Sequence, residues 1–599
     1  MAEQQPPQIQ MPDPVVLSRT VTKIAEQSQR LVNDFLKRQA ADGTLCLEDT
    51  LYLGNAFLEM TQRMMAQPGK LVEAQLNLWK SYLDLWQKSA AAFFGQQVEP
   101  AVQEEQSDKR FKHNDWEQNY LFSFIKQSYL LTARWVQDVV ANVDGMDPKS
   151  KRKLEFYTRQ FVDALAPTNF PITNPEVLRA TIESGGENLV KGLSNLLDDL
   201  ERGKGKLNIR MTDLDAFELG KNIATTPGQV IYQTELMQLL QYNPSTATVA
   251  KRPLLIVPPW INKYYILDLR PKNSFIKWAV DQGHTVFVIS WVNPDERLAE
   301  KSFDDYLTEG TLAALDAIEQ ATGEREVNAV GYCLGGTLLA ATLGYMAAKK
   351  DRRIVSATFL TTLIDFAEPG ELEVFIDEEQ LNALEKRMER RGYLDGAEMA
   401  TTFNLLRAND LIWSFFINNY LLGREPFPFD LLYWNSDSTR MPAKMHSFYL
   451  RNMYQRNLLR EPGGITLAGQ AIDLSKVKTP VYFLSTIEDH IAPWKSTYAG
   501  TQLFKGPVKF VLGGSGHIAG VVNPPEAGKY CYWTNGSVPA DPHAWFESAH
   551  QEQGSWWPNW QSWVSQYAGE QVPARQPGEG KLKPLEPAPG SYVKLRLIK

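Results

Sequence analysis

Three residues in the second half of the chain have the types, the order and the local setting that nucleophilic acyl transfer requires. The first is Cys333, which lies in Gly331-Tyr332-Cys333-Leu334-Gly335 between an apolar strand-like run and an apolar helix-like run. This matches the nucleophile-elbow pattern G-x-S-x-G, with cysteine in place of serine. Glycines are expected there because a Cβ beside so tight a turn would clash with neighbouring backbone. The alternative is a buried structural cysteine, since free cysteine is often buried.

A cysteine nucleophile needs a base and a group that orients the base. Asp489 and His517 each follow a strand-like run by a few residues, and the chain order nucleophile, acid, histidine is that of the α/β-hydrolase triad. Each has a simpler alternative: Asp489 as the cap of a helix that begins near Pro493, and His517 as a turn residue. Together the three predict a Cys-His-Asp triad, in which the neighbouring His490 is the less favoured base.

Acyl transfer also needs N–H donors for the developing oxyanion. The backbone N–H of Leu334 is predicted to be one donor, because it follows the nucleophile. The second is predicted to be the N–H of Trp260, the first available after Pro258 and Pro259, which have none. Cysteine favours a thioester substrate such as an acyl-CoA, because exchange between two thioesters keeps the acyl group activated, whereas an oxygen ester would lose that activation.

The secondary-structure elements that must position these residues are predicted to form an α/β protein. Several of the strand-like runs are continuously apolar, as strands buried on both faces should be, and helix-like segments lie between most of them. This pattern predicts βαβ units and a parallel sheet in an α/β-hydrolase core. An aromatic-rich insert of about 365–450 is predicted to cap the carboxyl edge of the sheet. The predicted strands are 229–234, 254–258, 285–290, 327–332, 354–362, 481–486 and 508–513.

The remaining chain divides by composition. Residues 1–225 are predicted to form a helical domain, of which 1–105 is a variable extension and about 96–109 a linker. Apolar residues at helical spacing from Val16 to Phe35 and from Leu71 to Trp86 predict two amphipathic helices. Their apolar faces are expected to be buried in the core or against a partner helix. Contact with a lipid surface is the minority interpretation. The catalytic domain is predicted over 226–574, and the proline-rich tail over 575–599 is expected to lie extended against the body or to be loose.

Composition excludes several classes of protein. The 599 residues are 43% hydrophobic and carry a net charge of −8, which offers no electrostatic attraction to nucleic acid. Three cysteines are too few for a disulfide framework and fit a reducing compartment. The apolar stretch Cys333 to Ala348 is shorter than a membrane span and rich in small residues, so we interpret it as a buried helix. We therefore expect a soluble cytoplasmic protein with no transmembrane segment, no metal and no cofactor.

Longer motifs give a more specific indication. The chain resembles class I polyhydroxyalkanoate synthase from roughly residue 105 to 599, through the motifs TNFPITNPEVL, PPWINKYYILDL, GYCLGGT, DLIWSFFINNYL, PFDLLYWNSDST, EDHIAPW and GGSGHIAGVVNPP. The resemblance implies polymerisation of (R)-3-hydroxyacyl-CoA, with 3-hydroxybutyryl-CoA as the first expectation, into a polyester with release of CoA. CoA thioester is then substrate, not cofactor, and no CoA-binding residues are assigned.

The resemblance also implies roles and partners. Cys333 would carry the growing chain, His517 would be the general base, and Asp489 would either orient His517 or help to activate the incoming hydroxyl. A homodimer on the surface of cytoplasmic polymer granules is implied, with granule-associated proteins as possible partners. Two rival hypotheses stand beside it: a cysteine-dependent esterase or depolymerase of the same fold, and a non-catalytic granule-binding or scaffolding protein.

Overall fold

The computed structural model describes residues 60–63, 68–205 and 207–597. These residues fall into two compact units. The first holds the chain up to Asp213 together with Phe403–Phe427, and the second holds Leu214–Thr402 and Pro428–Leu597. Part of the long insert that follows Thr362 is therefore grouped with the N-terminal helices.

The first unit is helical, as predicted. Polar side chains begin three of its helices: Asn119, Asp147 and Asn174 each accept N–H groups of the first turn, and proline follows two of them at the first helical position. Its helices before Asp213 are α1 (Pro68–Phe93), α2 (Asp115–Gln118), α3 (Tyr120–Ala141), α4 (Pro148–Ala164), α5 (Pro175–Glu183) and α6 (Glu187–Arg202).

Helix α1 contains the second predicted apolar stripe. Leu85 is fully buried on the side that packs against α3. Leu76, Trp79, Leu83 and Trp86, however, are each more than half exposed, so this part of the stripe is not core. The helix predicted near Val16 to Phe35 lies outside the described residues.

The second unit is built on one large mixed sheet. Its centre is parallel, in the order β8-β7-β6-β5-β3-β4, and antiparallel strands extend both edges. The strands of this sheet are β1 (Gly228–Gln233), β2 (Met237–Tyr242), β3 (Leu254–Val257), β4 (Val286–Trp291), β5 (Val327–Tyr332), β6 (Ile354–Leu360), β7 (Val481–Thr486), β8 (Val508–Gly513), β9 (Cys531–Thr534), β10 (His550–Gln553) and β11 (Glu586–Pro587).

Further α-helices occur in the chain after Asp213. The helix that begins at Leu334 follows β5 directly, whereas the helix that begins at Trp494 follows β7 after a loop. The α-helices after Asp213 are α7 (Phe275–Asp281), α8 (Phe303–Asp305), α9 (Ala313–Thr322), α10 (Leu334–Lys349), α11 (Glu378–Arg391), α12 (Gly396–Leu406), α13 (Asp430–Asn435), α14 (Ala443–Tyr449), α15 (Trp494–Thr501), α16 (Pro542–Glu547) and α17 (Trp557–Val564).

The central strands are buried on both faces, which explains their continuous apolar runs. Leu255 and Val257 of β3 belong to the hydrophobic core on one face, and Leu254 and Ile256 belong to the core on the other. This alternation follows from the two-residue period of a strand. One prediction needs correction: β1 pairs antiparallel with β2 and β11 at an edge, so the sheet is not parallel throughout.

The tail after Val572 lies against the body of the second unit. Glu586–Pro587 forms β11 beside β1, and Gln238 of β2 donates to the hydroxyl of Ser591 at 3.1 Å. Of the two expectations for this tail, the extended and packed form is therefore the one observed. Among the residues described, none of the helices combines the length and the apolar character that crossing a bilayer requires.

Candidate active site

The sequence predicts a nucleophile elbow at Cys333, and the backbone there is sharply bent. Strand β5 ends at Tyr332, Cys333 has a φ of 50° and a ψ of −121°, and α10 begins at Leu334. A positive φ is unfavourable for a residue with a Cβ, so the surroundings must hold this conformation. The N–H of Cys333 donates to Leu360 O at 2.9 Å, and its carbonyl accepts from Gly336 N at 2.9 Å.

Glycine is required beside Cys333 for steric reasons. A Cβ on Gly335 would lie 2.1 Å from Val257 O and 2.6 Å from Pro258 O, and one on Gly331 would lie 2.4 Å from Gly336 Cα. The loop after β3 therefore lies directly against the elbow. This is the loop that carries Trp260.

We predict that Gly335→Ala destabilises the second unit by about 1–3 kcal/mol, because the new methyl group meets backbone atoms that cannot move aside cheaply. Thermal or denaturant unfolding measures the change. Gly536→Ala is the matched control, because a Cβ there meets no atom within 4 Å, and we expect its effect to stay within about 0.5 kcal/mol. Equal stability of the two variants would contradict the steric requirement.

Asp489 and His517 are brought together at the carboxyl edge of the sheet. Asp489 follows β7 and His517 follows β8, and these neighbouring strands are parallel, so their carboxyl ends lie side by side. The Nδ1 atom of His517 lies 2.7 Å from Asp489 Oδ2, and both residues are buried. The negative charge of Cys333 contributes to the raised pKa of His517, which places the sulfur near the imidazole. The three residues thus form one array.

The carboxylate of Asp489 is fixed on both oxygens. Its Oδ1 accepts the N–H groups of Ile491 at 2.9 Å and Ala492 at 2.8 Å, while its Oδ2 faces His517. The helix that follows begins at Trp494 and has Pro493 at its N-cap position, so Asp489 does not cap that helix. A carboxylate held in this way can orient an imidazole ring.

The electrostatics of the array favour a charged histidine. Burial alone would lower the pKa of His517, but the negative charges of Asp489 and Cys333 and the hydrogen bond with Asp489 raise the pKa well above the usual range for histidine. An imidazolium next to a sulfur is the arrangement that stabilises a thiolate nucleophile.

Tyr332 supports the histidine from the elbow itself. Its ring stacks on the imidazole of His517 with centroids 5.8 Å apart and planes 25° apart, and its hydroxyl donates to His517 O at 3.3 Å. In the sequence, Tyr332 is only the variable residue of the elbow motif. The stacking could not be read from spacing, because the two residues lie on different strand ends.

Two further tyrosines that no sequence pattern marks lie near Cys333. Tyr449 ends α14 and Tyr454 belongs to the π-helical segment Leu450–Gln455, and their ring centroids are 5.5 Å apart. Residues five apart lie on different faces of an α-helix, whereas a π-helical turn brings them together. Burial raises the pKa of both phenols, and the charge of Cys333 raises it further. Their hydroxyl groups therefore lie in the electrostatic field of Cys333.

The predicted oxyanion donors are placed as follows. Leu334 is the first residue of α10, so its N–H has no acceptor within the helix. Trp260 is buried, with its ring 4.4 Å from that of Tyr306, and its carbonyl accepts the hydroxyl of Thr439 at 2.7 Å. The donor roles of Leu334 and Trp260 stay predictions.

The chain was compared with known proteins. Residues 107–279 match the family model described as the N-terminus of poly-beta-hydroxybutyrate polymerase (PhaC), and residues 253–524 match the alpha/beta hydrolase fold. The chain is 51% identical over 586 residues to poly(3-hydroxyalkanoate) polymerase subunit PhaC of Rhizobium meliloti (strain 1021), covering 98% of this chain and 96% of that protein.

Two other relatives extend the comparison. Poly(3-hydroxyalkanoate) polymerase of Methylorubrum extorquens is 50% identical over 595 residues, which cover 98% of each chain. Poly(3-hydroxyalkanoate) polymerase subunit PhaC of Cupriavidus necator (strain H16) is 42% identical over 536 residues, covering 88% of this chain and 89% of that protein. These similarities span residues of both structural units.

Proposed function

This chain belongs to the poly(3-hydroxyalkanoate) polymerase family, and from that premise we propose that it joins (R)-3-hydroxyacyl units from CoA thioesters into a polyester through an acyl-enzyme on Cys333. The observation that carries the proposal is that His517, which is hydrogen-bonded to Asp489, lies near the sulfur of Cys333 at the sheet edge. A thiolate that attacks a thioester exchanges one thioester for another, so the acyl group stays activated for transfer to a hydroxyl.

The first half-reaction loads the enzyme. The sulfur of Cys333 attacks the carbonyl carbon of the CoA thioester, the new carbon–sulfur bond forms, and the bond to the CoA sulfur breaks. The negative charge that develops on the carbonyl oxygen is stabilised by the N–H groups of Leu334 and Trp260. His517, which begins as imidazolium, gives its proton to the departing CoA sulfur.

The second half-reaction lengthens the chain. His517 is now neutral and takes the proton of the incoming 3-hydroxyl group, whose oxygen attacks the acyl carbon on Cys333. The ester bond forms and the bond to Cys333 Sγ breaks, which regenerates the thiolate and the imidazolium. The 2.7 Å contact between His517 and Asp489 supports an orienting role for the carboxylate throughout.

We also propose an oligomeric state, a location and partners for the protein. By resemblance, the protein acts as a homodimer at the surface of cytoplasmic polymer granules, with granule-associated proteins as partners. 3-Hydroxybutyryl-CoA is the proposed substrate, and neither a metal nor a bound cofactor takes part in the steps above.

The decisive experiment is incubation of the full chain with (R)-3-hydroxybutyryl-CoA, followed by measurement of free CoA and of product size. We expect CoA release together with polymer. CoA release with soluble 3-hydroxybutyrate alone would identify a cysteine-dependent hydrolase, and absence of CoA release would favour a non-catalytic granule-binding protein. A panel of hydroxyacyl-CoA side-chain lengths defines the specificity.

We predict that Asp489→Asn moves the alkaline limb of the pH–rate profile to lower pH, by about one to three pH units. The pKa of His517 is raised in the folded protein, so the imidazolium that protonates CoA persists at neutral pH and is lost as pH rises through that raised value. Removing the Asp489 charge lowers this pKa. CoA release measured from pH 6 to 10 checks the shift, and coincident alkaline limbs for the two proteins would contradict it.

A further inference from the structure

A buried lysine connects the loop after β3 to the end of the chain. The Lys263 ammonium donates to Asp437 Oδ1 at 2.7 Å and to the carbonyl oxygens of Val593 and Leu595, each at 2.8 Å. Its side chain is 4% exposed and that of Asp437 is 1% exposed. An ammonium has three protons to donate, and all three are used. We call these four residues the tail lock.

The second oxygen of Asp437 and the backbone of Lys263 are also occupied. Tyr265 donates its hydroxyl to Asp437 Oδ2 at 2.9 Å, and the indole N–H of Trp434 donates to Lys263 O at 2.7 Å. The tail lock therefore has no unsatisfied charge. Its position is determined by contacts that span the loop after β3, the segment near residue 437 and the last residues of the chain.

The same segment near residue 437 orients the backbone next to Trp260. The hydroxyl of Thr439 donates to Trp260 O at 2.7 Å and accepts from Asn262 N at 2.8 Å. Because the carbonyl and the N–H of one trans peptide point in opposite directions, this contact also turns the N–H of Ile261 away from Thr439. The Thr439 contacts thus fix the peptide between Trp260 and Ile261, which adjoins the peptide that carries the N–H of Trp260.

We propose that the tail lock holds the loop after β3 in the geometry in which Trp260 can donate to the oxyanion, so that Lys263 and Asp437 are positioning residues for acyl transfer. The proposal rests on the proposed function only through the oxyanion role of this loop. A buried charge without its partners is strongly unfavourable, so losing one member of the tail lock displaces the rest.

Two reactions of Cys333 distinguish a defect in the loop after β3 from a defect in the proposed triad. Alkylation by iodoacetamide forms a bond from Sγ to carbon and expels iodide, and no oxyanion develops. Acylation by p-nitrophenyl butyrate forms a tetrahedral intermediate with a negatively charged oxygen before p-nitrophenolate leaves. Both need a reactive sulfur, but only the second needs the N–H donors.

The experiment compares full-length Lys263→Met with wild type and with Lys272→Met, a substitution of an exposed lysine just after the same loop. For Lys263→Met we expect the burst of p-nitrophenolate to slow by about 10²-fold, the effect of losing one oxyanion donor. Iodoacetamide alkylation of Cys333 should change by less than about threefold. Lys272→Met should match wild type in both reactions.

A second variant keeps the proposal testable if Lys263→Met does not fold. The double variant Lys263→Met/Asp437→Asn removes both buried charges, a change that proteins often tolerate. We expect it to fold and to show the same selective loss of acylation. A folded variant that acylates at the wild-type rate would overturn the proposal, and so would equal loss of acylation and alkylation. Polymerisation of 3-hydroxybutyryl-CoA is measured separately with the wild-type protein. If no polymer forms there, the proposed function is wrong, whereas the role of the tail lock is decided by the acylation and alkylation rates.

Discussion

Cys333→Ala is expected to lower CoA release from (R)-3-hydroxybutyryl-CoA by at least about 10⁴-fold, because the variant has no atom that can carry the acyl group. The covalent adduct at this position should vanish as well. Free CoA measured by chromatography and the mass of the intact protein after brief incubation with substrate report the two effects. Alanine is smaller than cysteine and the side chain is only partly buried, so the fold should be retained.

Cys531→Ala is the matched control for this variant. Cys531 is also a free, partly buried cysteine, but it lies on β9 and outside the array of Cys333, His517 and Asp489. We expect its turnover to stay within about threefold of wild type. Turnover retained in Cys333→Ala, or an acyl adduct on Cys531 in the wild-type protein, would refute the assignment of the nucleophile.

His517→Gln is expected to lower CoA release by at least about 10³-fold, since the sulfur loses its charged partner and the departing CoA loses its proton donor. Glutamine can still hydrogen-bond to Asp489, so the carboxylate is not left unpartnered in the buried site. Iodoacetamide alkylation of Cys333 at pH 7 should slow in parallel, because a thiol without a base is only a few per cent ionised at that pH.

His490→Gln tests whether the adjacent histidine is the base instead. His490 directly follows the triad carboxylate in sequence, whereas the imidazole hydrogen-bonded to that carboxylate is His517. We expect CoA release by His490→Gln within about threefold of wild type. If His490→Gln lost turnover and His517→Gln retained it, His490 would be the base and His517 would not.

The central strands and the contact between Asp489 and His517 were predictable from signals in the sequence. Strands such as Val327–Tyr332 and Val481–Thr486 are buried on both faces, and a continuous apolar run bounded by turns is enough to place them within two residues. Asp489 and His517 were predictable for a related reason. In a parallel sheet, residues just past the carboxyl ends of neighbouring strands meet, whatever their separation in sequence.

Other elements had no local signal. Strand β10, His550–Gln553, is polar and exposed along its whole length, so no hydrophobic alternation marks it. The pairing of Tyr449 with Tyr454 depends on a π-helical turn, which propensity does not predict. The burial of Lys263 depends on partners 174, 330 and 332 residues away. Such contacts are set by tertiary packing, which overrides the preference of lysine for solvent.

The position of β11 has a consequence for biosynthesis. This strand, Glu586–Pro587, completes an edge of the sheet whose first strand, β1, is synthesised more than three hundred residues earlier. During translation, β1 leaves the exit tunnel of the ribosome long before β11 has been made. This edge of the sheet can therefore reach its final form only after residue 587 has been synthesised and has left the tunnel.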